Sequence, residues 1–176
     1  MDFHAWLARI QLQFFNKFFA FSALKGDHLK FTYKFKELHG HWGNCKDYGS
    51  EHLMNGKAFS AEFHFVCWNE KYATAAECFK HCDGIAVLAL FFQESNDNNP
   101  HLEPLINGIK EAANTKNSAN ISNSFDPSKL LPDDLNYYTY NGSLTTPDYH
   151  ECVTWTVLRK ATSIGRSQVM YQFNMY

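Results

Sequence analysis

Three histidines set at strand spacing constrain this chain more than any other feature of it. His39 and His41 stand in the run ELHGHWG, from Glu37 to Gly43, and His64 stands in AEFHFVCWN, from Ala61 to Asn69. Along a β-strand, residues i and i+2 project to the same face, so His39 and His41 can offer their imidazoles side by side. His64 can then complete a tripod from a neighbouring strand. Three neutral imidazoles leave the fourth tetrahedral position around Zn²⁺ open, which is the arrangement of a catalytic rather than a structural zinc. An isolated H-x-H pair is weak evidence. The flanking residues decide.

Those residues form an ordered series. HGHWG is followed by GSEH at Gly49 to His52, by AEFHFVCWN, by GSLTTP at Gly142 to Pro147 and by ECVTW at Glu151 to Trp155. In order and spacing this series resembles the α-class carbonic anhydrases, over about Leu24 to Gln168. The resemblance implies a mainly β fold: a central, mostly antiparallel twisted sheet with small peripheral helices. It also implies a zinc ion on His39, His41 and His64, and reversible hydration of carbon dioxide to bicarbonate by attack of a zinc-bound hydroxide.

The resemblance assigns roles residue by residue. Glu62, two positions before His64, matches an acidic partner for that ligand's other ring nitrogen. Glu37 stands in the same relation to His39 where the family commonly has glutamine, and it adds a negative charge. Thr145 and Glu51 match the pair that orients the attacking oxygen. Read without the resemblance, these two are a β-turn residue and a solvated turn residue. Val66, Val87, Leu144 and Trp155 match an apolar pocket for carbon dioxide, with Thr146 lining the same cavity. Each of the apolar four also reads as plain core. Gly40 replaces a bulky apolar residue on the face opposite the ligands, where it bears on packing.

Composition agrees with one globular domain. A chain of 176 residues, 45% of them hydrophobic, can bury one sizeable core. A net charge of -2 leaves no electrostatic footprint for nucleic acid or an anionic membrane, so a small-molecule substrate is the expected partner. No stretch approaches the roughly eighteen uninterrupted apolar residues of a membrane span. Cys45, Cys67, Cys78, Cys82 and Cys152 form an odd set without a disulfide framework. Cys78, His81 and Cys82 read as free thiols and a surface histidine rather than a second metal cluster. Asn120 and Asn141 head glycosylation triplets of a kind that also arises by chance. Secreted relatives with a disulfide carry a cysteine where this chain has Tyr149, so the cytoplasm is the expected compartment.

Residues 1–23 are aromatic-rich and loosely amphipathic. Gln11, Gln13, Asn16 and Lys17 interrupt what would have to be the apolar core of a signal peptide. They read as a divergent leader before a domain at 24–176. Beyond it, Lys30 to Leu38 and Phe59 to Trp68 alternate as strands, and Ile85 to Phe92 is an apolar run suited to a strand buried on both faces. Val153 to Leu158 is a further strand. Pro100 to Lys116 has helical spacing at Leu102, Leu105, Ile106 and Ile109, and Asn114 to Ser124 reads as a loop. The family's proton-shuttle histidine would fall near Arg9, and nothing around His4 matches it, so no shuttle is assigned. The family pattern continues past Gln168, which leads us to expect a monomer with sheet edges open to association. The alternative reading is a catalytically weak or silent fragment related to these enzymes, or a binding module.

Overall fold

The computed structural model describes residues 23–43, 47–115, 118–122 and 124–173. His4, Arg9, Cys45 and nearly all of the leader therefore lie outside the described residues. Seven strands form one mixed sheet: β1 (Ala23–Leu24), β2 (Tyr33–Trp42), β3 (Ala61–Asn69), β4 (Ile85–Ser95), β5 (Tyr137–Gly142), β6 (Val153–Leu158) and β7 (Thr162–Gly165). The strand order is β1-β2-β3-β4-β6-β5, with β7 also on β4. The β1–β2, β2–β3, β3–β4 and β5–β6 pairs are antiparallel. β4 pairs in parallel with β6 along Ile85–Ala89 and with β7 along Phe92–Ser95. Short helices α1 (Ala75–Cys78), α2 (Glu103–Thr115) and α3 (Arg166–Phe173) lie between and after the strands. The expected strands and helix are present, and α2 is preceded by a 3₁₀ turn at Pro100–Leu102, where the Asn99 side chain accepts from the main-chain N–H of His101.

The sheet is buried on both faces. One face carries Phe63, Phe65, Leu88, Leu90 and Phe92, covered by Leu105, Ile106 and Ile109 of α2. The other carries Val66, Val87, Ala89, Phe91, Trp155 and Val157. The continuous apolar run of β4 follows from this, because its odd and even residues feed different cores. Each large apolar side chain withdrawn from water in this way contributes roughly 1.5–3 kcal/mol.

The alternation in β2 breaks once. Register against β3 shifts between Phe35 and Glu37. Before the shift, Tyr33 and Phe35 pack into the first core, and after it Leu38 and Trp42 do. Such a bulge reverses the parity of the strand, so core residues at odd positions give way to core residues at even ones. Glu37, His39 and His41 are thereby turned to the second face. The sequence shows only an alternating run from Lys30 to Leu38; the bulge is what reconciles Phe35 and Leu38 on one side.

Gly40 sits between the two ligands on the first face. A Cβ there would lie 2.7 Å from Cε1 of Phe63, its cross-strand partner. The Phe63 ring thus fills the volume that a bulky residue at position 40 would need. Gly40→Leu should cost about 1–3 kcal/mol by overpacking. Adding Phe63→Leu should recover most of that loss, as measured by denaturant unfolding; additive losses in the double variant would overturn the exchange of volumes.

Candidate metal centre

Cross-strand register builds the site. In the β2–β3 ladder His39 lies opposite His64 and His41 opposite Glu62. Nε2 of His41 is 3.2 Å from Nδ1 of His64, and Nε2 of His39 is 3.3 Å from that same atom. His41 and His64 are buried, and His39 is half-buried. The sequence-predicted ligands are brought together.

Each imidazole is backed by a carboxylate on its far nitrogen. Glu62 Oε1 accepts from His64 Nε2 at 2.6 Å. Glu51 Oε1 lies 3.3 Å from His41 Nδ1, and Glu37 Oε1 lies 3.5 Å from His39 Nδ1. This network assigns the tautomers: the ring proton sits on the nitrogen facing the carboxylate, and the inward nitrogen carries a lone pair. Three lone pairs then converge with no proton between them, which is repulsive unless a cation sits at their focus. For nitrogen ligands at about 2.0–2.1 Å around a tetrahedral ion, adjacent donors stand about 3.3 Å apart. The two inward spacings match that figure, so the donor set fits zinc.

Two glycine contacts deliver the outer carboxylate. A Cβ on Gly43 would overlap the carbonyl of Tyr48, and one on Gly49 would overlap that of Ser60. The backbones cross at these points with no room for a side chain. Gly49 and Ser50 then donate to the carbonyl of Phe59 at 2.8 and 3.1 Å, and the Ser50 hydroxyl donates to the carbonyl of His52 at 2.7 Å. The pinned segment aims Glu51 and His52 at the histidines.

The structure adds His52 and Tyr140 to the residues that the sequence singles out. The main-chain N–H of His52 donates to Glu62 Oε2 at 2.8 Å, and its Nδ1 lies 2.5 Å from Glu62 Oε1. Its Nε2 lies 2.6 Å from the hydroxyl of Tyr140. A relay therefore runs from Tyr140 through His52 and Glu62 to His64. His52, Glu62 and His64 are also close enough to group around a metal, but their donors are already spent on one another. The signal for His52 was its place directly after Glu51 in GSEH. Tyr140 carried none, because its partner lies 88 residues away.

Burial and partners set the carboxylate charges. Burial opposes ionisation of Glu62, but hydrogen bonds from His52 and His64 outweigh it and hold the group well below the ordinary carboxylate range. Glu37 is lowered to about 2, by His39 above all and then, against the cost of burial, by Lys36. Glu51 is raised, chiefly by burial, although the Thr145 hydroxyl donates to it and favours its charge. Its Oε2 is buried without a hydrogen-bond partner, 4.0 Å from His64 Nδ1.

Beside the histidines lies an apolar wall. Val66, Val87 and Trp155 are buried in the second core, and Leu144 packs against them. The Trp155 ring meets those of His64 and His52 edge-on at 4.8 and 4.9 Å between centroids, and its Nε1 donates to the carbonyl of Ser143 at 3.2 Å. The loop bearing Thr145 and Thr146 is closed by bonds from Leu144 N to His150 O and from Tyr149 N to Thr146 O. Thr145 is exposed and Thr146 half-buried. Cys67, Cys78, Cys82 and Cys152 are free thiols, and the Cys78, His81 and Cys82 grouping forms no metal cluster among the described residues.

A histidine tripod on a mixed, mostly β sheet, with a carboxylate behind each ring and an oily wall alongside, is a grouping that could hold a metal ion. The comparisons name the family. The model of the eukaryotic-type carbonic anhydrases matches residues 8–175, and the chain belongs to that family. It is 42% identical to carbonic anhydrase 1 of Oryctolagus cuniculus over 149 residues, which are 84% of this chain and 63% of the relative. It is 40% identical to carbonic anhydrase 1 of Mus musculus over 149 residues, 56% of that protein. The chain thus spans less than two thirds of the length of these curated relatives. No helix among the described residues is long and apolar enough to cross a membrane.

The depressed carboxylates make acid stability a test. A group whose folded pKa lies below its unfolded value, ordinarily 4.5 for glutamate, contributes stability that is present above 4.5 and lost as pH falls toward the folded value. Glu62 and Glu37 have this sign; Glu51, raised, has the opposite one. Metal-free protein should lose stability as the pH drops below 4.5, and Glu62→Gln should be less stable at neutral pH with a shallower acid dependence. Denaturant unfolding across pH 2–7 checks this, and an unchanged slope in the variant would refute the role of Glu62.

Proposed function

We propose that the chain is a zinc-dependent carbonic anhydrase, converting carbon dioxide and water reversibly to bicarbonate and a proton. The observation that carries this reading is the approach of His41 Nε2 and His39 Nε2 to His64 Nδ1 at 3.2 and 3.3 Å, each ring backed by a carboxylate. These three residues would hold the ion. Zinc, when bound, is a Lewis acid that makes a water nucleophilic near neutral pH.

The remaining steps belong to the protein. Glu37, Glu51 and Glu62 fix the ligand tautomers and ring orientations. Thr145 donates its hydroxyl hydrogen bond to Glu51, so its own oxygen is left to accept a hydrogen bond from the attacking oxygen and turn that oxygen's lone pair toward the substrate. Carbon dioxide is apolar, and Val66, Val87, Leu144 and Trp155 offer it a site without competing water. The main-chain N–H of Thr145 would hold one substrate oxygen, and Thr146 would line the cavity. The attack forms one C–O bond and opens one C=O π bond; the proton released passes to solvent or buffer. Free thiols and Tyr149 support a cytoplasmic setting, and the substrate pair, carbon dioxide and bicarbonate, requires no macromolecular partner. A monomer is the proposed state, with β1 and β5 at the ends of the sheet path as the places where copies would associate.

The test is carbon dioxide hydration by the purified chain with zinc in concentrated buffer. We expect activity that His64→Ala abolishes, and a fall of about a hundredfold in kcat/KM for Thr145→Val. Equal background rates in the parent chain and His64→Ala would favour a silent binding relative instead.

A further inference from the structure

Three carboxylates surround the histidine cluster, and with all of them ionised it would carry more negative charge than a divalent ion balances. Glu37, Glu51 and Glu62 each approach the far nitrogen of one histidine. Fully ionised, they exceed the charge of a divalent cation by one. Among the described residues, Lys36 is the lysine or arginine in contact with any of the three: its ammonium meets Oε2 of Glu37 while Oε1 of the same carboxylate faces His39.

The contact depends on the bulge. In a regular strand, neighbours 36 and 37 point to opposite faces. The register shift between Phe35 and Glu37 leaves Lys36 outside the ladder pairing, so its side chain can turn to the same carboxylate that Glu37 presents to the ligand. Side-chain exposures of 33% for Lys36 and 21% for Glu37 put the pair at the rim, where its charges are only partly screened.

We propose that Lys36 is a charge-balancing positioning residue for the metal centre, acting through Glu37 on His39 so that the loaded site is neutral. The inference rests on the metal-centre reading above. Glu37 strengthens His39 as a donor; Lys36 limits that gain and sets how tightly the ion is held. Charge sign then predicts opposite effects for the two partners. Loss of Glu37 removes a negative charge and weakens cation binding, whereas loss of Lys36 removes a positive charge and strengthens it.

Zinc affinity of the full chain, by competition with a chromophoric chelator at low ionic strength, and zinc release into excess chelator are the two readouts. Glu37→Gln should weaken binding about tenfold. Lys36→Met should tighten it about threefold and slow release, with Lys36→Arg unchanged. The double variant should fall between the two single variants, and high salt should shrink the Lys36→Met effect. Circular dichroism of the metal-free variants confirms that the fold is retained. Lys36→Met binding zinc equally or more weakly than the parent would overturn the charge-balancing role alone. Zinc bound no better by the parent than by His64→Ala would overturn the metal centre itself.

Discussion

The register that sets His39 opposite His64 is the constraint on which the rest of the site depends. Because side chains alternate along a strand, a slip of one residue between β2 and β3 would send His39 and His41 into the apolar core and Leu38 into the cavity. The register is held from the other face. Phe63, Phe65 and Leu38 are each nearly free of solvent contact, and they can remain so only with this pairing. Core packing on one side of the sheet therefore holds the three histidines on the other, and their cluster inherits the rigidity of the hydrophobic core.

Burial gives the second face its character. A carboxylate without solvent is costly, and Glu62, fully buried, is tolerated because three hydrogen bonds reach it: the main-chain N–H of His52 and the rings of His52 and His64. Removing one donor would leave the charge exposed to a low dielectric, so His52 and Tyr140 matter for His64 through Glu62. Glu51 differs. Its burial is not fully compensated, and its orphaned Oε2 points toward the ligand nitrogens, where a cation would supply the missing charge. One carboxylate is satisfied by protein alone, and another keeps an oxygen that a bound cation would complete.

The histidine cluster was legible because strand periodicity is local: bringing His39, His41 and His64 together needed only alternation and an order of motifs. The β4 run Ile85 to Phe92 and the α2 spacing at Leu105, Ile106 and Ile109 were legible for the same reason. β5 was missed, since Tyr137–Gly142 is exposed along almost its whole length and shows no apolar alternation; it is a strand because β6 pairs with it. β7, four residues long, is likewise created by its partner β4. The tie between Tyr140 and His52 joins residues that only the folded sheet brings together. Local pattern revealed what local geometry determines, and tertiary pairing determined the remainder.

The bulge in β2 answers two demands at once. Tyr33 and Phe35 must enter the same core as Leu38, which requires a change of parity between them. The change has to fall before Glu37, or that residue would leave His39 for the core. Position 36 is thus where the extra residue must sit, and a residue left out of the ladder beside a half-buried carboxylate is stabilised there by opposite charge. A lysine serves better than an apolar side chain, which would be stranded at the rim, or an acid, which would repel Glu37. The same packing requirement that directs the histidines toward the cavity therefore also places a cation beside the carboxylate that tunes one of them.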